Sequence, residues 1–244
     1  MAKATGMSTT TVQRLWRLMG LRPHRSETFK FSTDPALEAK ARDVVGLYLD
    51  PPDGVIVLSV DEKTQIQARD RTQLMLPLLP GQVERHAHDY ERHGTTSLFA
   101  VLEVGSGQVT TDTRERHTGA DFLAFLRRVA RAYPDGELHI VLDDVSTHTT
   151  PDVKAWLERH PRITFHFTPT SASWTNQIET WFVILTRQAI RRGSFRSVKE
   201  LVAMIEAFTD QWNEGSSPLA WVKTADQVLA KAVRKPTAIS ESGP

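Results

Sequence analysis

The chain has 244 residues, 40% of them hydrophobic, a net charge of +1 and no cysteine. That length supports one core of ordinary size with a small appendage, and the missing thiols exclude disulfides and thiolate metal sites and fit a reducing compartment. Apolar runs such as "VIVL" are far too short to span a bilayer and the N-terminus has no apolar signal region, so a soluble, cytoplasmic protein with no membrane partner is expected.

The opening "AKATGMSTTTVQRLWRLMGL" reads as helix, turn, helix. Val12, Leu15, Trp16 and Met19 share one face, Gly6 supplies the turn, and Ser8 or Thr9 caps the second helix. Thr10, Thr11, Gln13, Arg14 and Arg17 point the other way, as the base-reading residues of a helix-turn-helix would. A plain helical hairpin fits the same pattern. Residues 1–26 are expected to form this partial DNA-binding segment, and residues 27–53 a linker followed by a helix capped by Asp34 with Pro35 at its first position.

From residue 54 the pattern changes. "VIVLSVDE" is a continuous apolar strand that ends in Asp61, and "TTSLFAVLEV", "GSG" and "QVTTDT" make a hairpin. "GADFLAFLRRVARAY" is an amphipathic helix, and "LHIVLDD" a second buried strand, ending in Asp143 and Asp144. "TPDVKAWLERH" is a helix capped by Thr150, "ITFHFT" a strand, and three helical stretches close the domain at residue 234. The tail, 235–244, is expected to be disordered. A hairpin followed by helical crossovers gives an α/β fold, a mixed sheet flanked by helices.

Charge is unevenly spread. Residues 1–26 carry Lys3, Arg14, Arg17, Arg22 and Arg25 and no acid; residues 180–199 carry Arg187, Arg191, Arg192, Arg196 and Lys199 and no acid. Two basic segments in a neutral chain suit a polyanion touched at two places, and equally suit solvated helix faces.

Two buried strands end in Asp, and the helix after a third carries Glu179. Strand ends in an α/β sheet gather ligand sites. Asp61, Asp143 and Glu179 brought to one sheet edge would repel one another, a cost that a hard divalent cation, Mg²⁺ or Mn²⁺, removes. Two such ions suit phosphodiester chemistry. Singly, each acid has a plainer use: an Asp after a strand makes a turn, and Glu179 completes a capping box begun by Asn176 in "NQIE". "RHAHDYERH", with His86, His88 and His93, is read as a solvated loop before the hairpin. Ser146, His148 and Asp143 lack the Gly-flanked turn of a hydrolase nucleophile.

"VLSVDEKTQIQA", "HGTTSLFAVLEV", "LHIVLDDVSTHTTPDVKAWL" and above all "SASWTNQIETWF" resemble the bacterial insertion-sequence transposases of the insertion-sequence-630 type, in the mariner-like superfamily. The resemblance runs from about residue 2 to 233. It implies a ribonuclease-H-like core with an Asp-Asp-Glu metal triad at Asp61, Asp143 and Glu179, using two Mg²⁺ or Mn²⁺ ions. It also implies DNA cleavage and strand transfer at TA targets, with terminal inverted repeats of the element as the double-stranded DNA partner. Arg187, Arg191 and Arg192 become candidates for phosphate contacts. A homodimer on DNA and association with the nucleoid fit the same picture. The family usually has Asn at the position of Asp144, and its DNA-binding region usually begins before the point matching Met1. Two rivals stay open: a catalytically inactive or truncated transposon-derived DNA-binding protein, and another ribonuclease-H-like nuclease.

Overall fold

The computed structural model describes residues 6, 8–18, 32–71 and 90–232. The tail from 235, His86 and His88 lie outside them. The chain divides into two units, Met1–Phe31 and Ser32–Pro244.

In the first unit, helix α1 spans Thr9–Leu18. Ser8 caps it, its Oγ accepting from the Thr11 amide at 3.1 Å. Gly6 takes the left-handed turn at φ +65°. Val12 is buried, whereas Thr10, Thr11, Gln13 and Arg14 are exposed. The side chains of Leu15, Trp16, Arg17 and Met19 lie outside the described residues.

The second unit is built on a five-stranded sheet ordered β3-β2-β1-β4-β5. Its strands are β1 (Val55–Arg71), β2 (Tyr90–Glu103), β3 (Val109–Arg114), β4 (Glu137–Leu142) and β5 (Ile163–Phe167). β1, β2 and β3 form an antiparallel meander, and β4 and β5 join β1 in parallel. The helices are α2 (Leu37–Leu49), α3 (Gly119–Ala132), α4 (Pro151–Glu158), α5 (Ile178–Leu185), α6 (Val198–Glu214) and α7 (Ala225–Ala232). A π-helical turn, Thr186–Ile190, extends α5.

Period-two alternation sorts the sheet into two cores. Leu58, Val60, Phe99, Val101, Leu138, Ile140 and Leu142 face α3 and α4, meeting Phe122, Phe125, Val153 and Trp156. Leu98, Ala100, Leu102 and Val109 face the other way, against Trp181 and Phe182 of α5 and Leu201 and Ile205 of α6. Beside them, Val57 and Val141 meet Val44, Leu47 and Tyr48 of α2. Phe99 stacks on Phe125 at 5.6 Å between centroids, and truncating one such buried ring costs about 3–5 kcal/mol.

Three expectations need correction. β1 does not end at Asp61 but runs on to Arg71, because β2 continues to pair with it after β4 has stopped. The polar stretch after Asp61 is thus one side of a two-stranded ribbon. His93, expected in a loop, lies in β2, the other side of that ribbon. The helix expected at Pro35 begins at Leu37, since the Asp34 carboxylate does more than cap: it accepts from the amides of Ala36 and Thr170 and pairs with Lys40. The Thr170 amide, then burial working against it, then Ala36 and Lys40 leave Asp34 with a pKa of about 2.

Within the ribbon the register slips twice. β1 carries one extra residue between Lys63 and Ile66, and β2 one between Thr95 and Arg92, after which the original register resumes. Gln65, at the first slip, adopts φ 52°, a left-handed conformation uncommon outside glycine. The bulge keeps Lys63 and Ile66 on one face, so that Ile66 and Ala68 join the α5–α6 core.

Candidate active site

The parallel pairing of β1 and β4 runs from Val55↔Glu137 to Ser59↔Val141. Continued by two residues, it sets Asp61 beside Asp143. Both are odd-numbered, as are Val57, Ser59 and Val141, so alternation directs them toward the face that carries α2 and α5.

The start of α5 is stitched to this point. Ser59 Oγ accepts from the Ile178 amide at 2.9 Å and hydrogen-bonds Asn176 Oδ1. Asn176 Nδ2 donates to the Val60 carbonyl at 2.9 Å and to Asp61 Oδ2 at 3.3 Å. All three partners are buried, so the "TNQIE" segment is fixed against β1. The expected capping box is therefore absent: Gln177 is the N-cap residue, with no side-chain cap bond. Asn176 spends its side chain on β1, and Glu179 stands half-buried in the first turn of α5.

Their mutual influence is visible in the electrostatics. Burial first, then the charges of Asp143 and Glu179, push Asp61 from its ordinary 3.8 up to about 8. Glu179 is also raised, by burial and by Asp143, with Lys63 opposing. Asp143 Oδ1 is buried without a hydrogen bond of good geometry, although His148 Nδ1 stands 2.9 Å away. The nearby Nδ1–carbonyl contact of 3.0 Å, to Asp143 O, is the properly directed one.

Among the described residues no three acidic or imidazole side chains converge closely enough, as they stand, to cage a metal ion. The donor chemistry suits one nonetheless. Hard carboxylate oxygens, an acceptor atom left without a hydrogen bond and an aspartate whose charge its neighbours oppose are what a divalent cation would satisfy.

Asp61 also gives a pH prediction. Its folded pKa lies above its unfolded value, so the folded state holds the proton more tightly, and stability falls as pH climbs from about 4 toward 8. Asp61→Asn removes that loss. In metal-free buffer at pH 8 the variant is expected to gain about 1–3 kcal/mol, at roughly 2–4 °C of Tm per kcal/mol. Thermal melts at pH 5 and pH 8 check it: a Tm difference that does not widen with pH contradicts the assignment of strain to this carboxylate.

Asp144 stands apart. Its side chain is 44% exposed and pairs with Lys40 on α2 at 3.2 Å. Ser146 is exposed, and both His148 nitrogens are taken, by Asp143 and by Glu62 Oε2 at 3.0 Å, so no hydrolase triad forms. Burial alone would lower the His148 pKa; Asp143 and Glu62 outweigh it and raise it to about 10.

Along the ribbon lies a groove of about 540 Å³ lined by Lys63, Gln65, Gln67, Arg69, Tyr90 and Arg191, with Thr186 and Ile190 from the π turn. Arg69 and Arg92 lie over the Tyr90 ring at 4.6 and 5.7 Å. Of the basic residues singled out in the sequence, Arg191 lines this groove; Arg187 and Arg192 are exposed outside its lining. Lys63, Arg69, Glu62 and Ser59 escaped the sequence reading, and Asn176 and His148 entered it only as a cap and as a member of a rejected triad. Most of their partners are distant in the chain, and the polar run after Asp61 has the composition of a loop.

A family model described as "DDE superfamily endonuclease" matches residues 56–202. No curated protein matches in sequence. Among solved structures, the chain is similar to a Mos1 mariner paired-end complex with Mn at 12% identity and a TM-score of 0.58, covering 95% of this chain and 70% of that one. It is similar to a Mos1 transposase paired-end complex with the left transposon end at 14% and 0.55, covering 89% and 66%. The Mos1 strand transfer complex gives 12% and 0.57, covering 95% and 70%. The chain thus spans about two thirds of the length of these transposase chains. At such identities the likeness is one of fold, and it bears out the mixed, helix-flanked, ribonuclease-H-like sheet.

Proposed function

The chain belongs to the DDE superfamily of endonucleases, and from that membership we propose that it is the transposase of a bacterial insertion sequence of the insertion-sequence-630 type. It cuts double-stranded DNA at the element's terminal inverted repeats and joins the freed ends to TA targets. The observation that supports this reading is the parallel β1–β4 pairing that leads to Asp61 and Asp143, with the start of α5, which carries Glu179, hydrogen-bonded to Ser59 and Val60 of β1.

Bound by Asp61, Asp143 and Glu179, two magnesium or manganese ions would supply Lewis acidity and neutralise the carboxylates. The reaction is phosphodiester exchange. Water attacks the phosphorus at the element end and a 3′-hydroxyl leaves; that hydroxyl then attacks a target phosphodiester and displaces another 3′-oxygen. The protein's own groups bind and align. Lys63, beside Glu179, and Arg69 and Arg191 along the groove are placed to hold phosphates, which positions DNA without reading its sequence. Thr10, Thr11, Gln13, Arg14 and Arg17 on α1 are proposed to contact the terminal repeats. Arg187 and Arg192 are proposed as further phosphate contacts on duplex outside the groove. Among the described residues no helix is long and apolar enough to cross a membrane, and the proposed site of action is the nucleoid, with a homodimer on DNA as the working assembly.

The deciding experiment incubates the full chain with DNA carrying the inverted repeats and Mg²⁺ or Mn²⁺. Nicks together with joined strands support the transposase. Nicks with no joined product point to a nuclease, and binding with no chemistry to an inactive DNA-binding relative. The groove has its own test. Lys63→Ala or Arg69→Ala should weaken duplex binding on any sequence. Each should also reduce the slope of log affinity against log salt by about one, followed by anisotropy between about 50 and 200 mM salt. An unchanged slope would remove the groove from the DNA path.

A further inference from the structure

The backbone ladder between β1 and β4 stops at Ser59↔Val141, two residues short of the acids it aims. Asp143 is the first residue beyond β4, and its Oδ1 receives no well-directed hydrogen bond. Something other than the ladder must set its place relative to Asp61.

His148 is built for this. Its side chain has no exposure. Nε2 lies 3.0 Å from Glu62 Oε2, on the residue next to Asp61. Nδ1 lies 3.0 Å from the Asp143 carbonyl and 2.9 Å from its Oδ1. The ring packs on Phe122 at 4.1 Å between centroids, which fixes its plane. The loop between is short and turned, with the His148 amide donating to the Val145 carbonyl at 3.0 Å. Glu62 pairs with Phe99 in the β1–β2 ladder, so the far end of the bridge is anchored in the sheet. Burying a carboxylate and an imidazole in a rim loop gains little stability over an apolar pair; holding a ligand in orientation is what such outer partners do well.

We propose that His148, braced by Glu62, is a positioning residue that clamps Asp143 in the orientation in which its carboxylate serves a divalent cation. The inference rests on the reading of Asp61, Asp143 and Glu179 as a cation site.

Two substitutions separate the bridge's halves. An Asn amide nitrogen reaches where Nδ1 stands, so His148→Asn keeps the donor to Asp143; a Gln amide nitrogen reaches where Nε2 stands, so His148→Gln keeps only the Glu62 end. Mn²⁺ is titrated by calorimetry into the full chain without DNA, alongside melts of each variant. His148→Gln is expected to weaken Mn²⁺ binding about 10- to 100-fold, and His148→Asn by markedly less. In DNA cleavage His148→Gln should lower kcat and leave KM for DNA unchanged. Equal Mn²⁺ binding by His148→Gln and the parent chain overturns the clamp, as does a loss in both variants that tracks only their Tm. If neither variant folds, Glu62→Ala decides: weaker Mn²⁺ binding at an unchanged Tm supports the clamp, and unchanged binding overturns it. A parent chain that binds no Mn²⁺ sinks the cation-site reading itself, and the clamp with it. A parent that binds while the variants bind equally well sinks the clamp alone.

Discussion

Glu179→Ala is expected to abolish metal-dependent DNA cleavage, by about 10³-fold or more, while the protein stays folded. The size follows from the role proposed: losing one carboxylate of a cation site forfeits several kcal/mol of transition-state charge stabilisation, at about 1.4 kcal/mol per tenfold. The fold survives because the side chains that dock α5 are Ile178, Trp181, Phe182 and Leu185, all buried, whereas Glu179 is only partly so. The change also removes one of the charges that raise Asp61, so the metal-free variant should melt no lower than the parent at pH 8. Cleavage of labelled repeat DNA and a thermal melt read both arms. Near-parental cleavage would reduce Glu179 to an acid in the first turn of a helix, and the assignment would fail.

The second large effect sets neighbours against each other. Asp143→Asn is expected to destroy cleavage across a Mg²⁺ titration, and Asp144→Asn to retain or improve it. Asp143 faces Asp61 and Glu179 and shifts both, whereas Asp144 leans to α2 and pairs with Lys40. Lys40 keeps its second partner, Asp34, at 3.0 Å, and a half-exposed pair is worth about 0–1 kcal/mol. Asp144→Asn therefore costs little stability and removes a negative charge from the approach of a phosphate. The reverse pattern would move the ligand to Asp144.

Much of this was legible in the sequence. β4 and β5, α3, and α4 with its Thr150 cap and Pro151 start stand as read, because period and capping are local. Strand order left open whether the strands leading to Asp61 and Asp143 are neighbours; the β1–β4 pairing makes them so. What was not legible is long-range pairing. Asn176 has the sequence of a cap and the job of a splice, since Val60 O and Asp61 offered it buried partners. Asp34 has the sequence of a helix start, and Thr170 and Lys40 drew it away. The residues after Asp61 look like loop because, past the end of β4, only Ile66 and Ala68 need be apolar.

The paired slips in the β1–β2 ribbon carry a consequence for how such chains can change length. One extra residue near Gln65 is offset by one near Gly94, and the strands leave the ribbon in the register in which they entered. Deleting Gln65 alone would straighten β1 there and leave Ile66↔Thr96, Gln67↔Thr95 and Arg69↔Arg92 as partners, because each slip is closed within its own step of the ladder. Deleting a residue at both places would restore a continuous ladder and keep every side chain on its present face. Length variation at these two points can therefore be inherited separately: a chain one residue shorter before Ile66 is expected to keep its length before Thr95 and the same partners beyond.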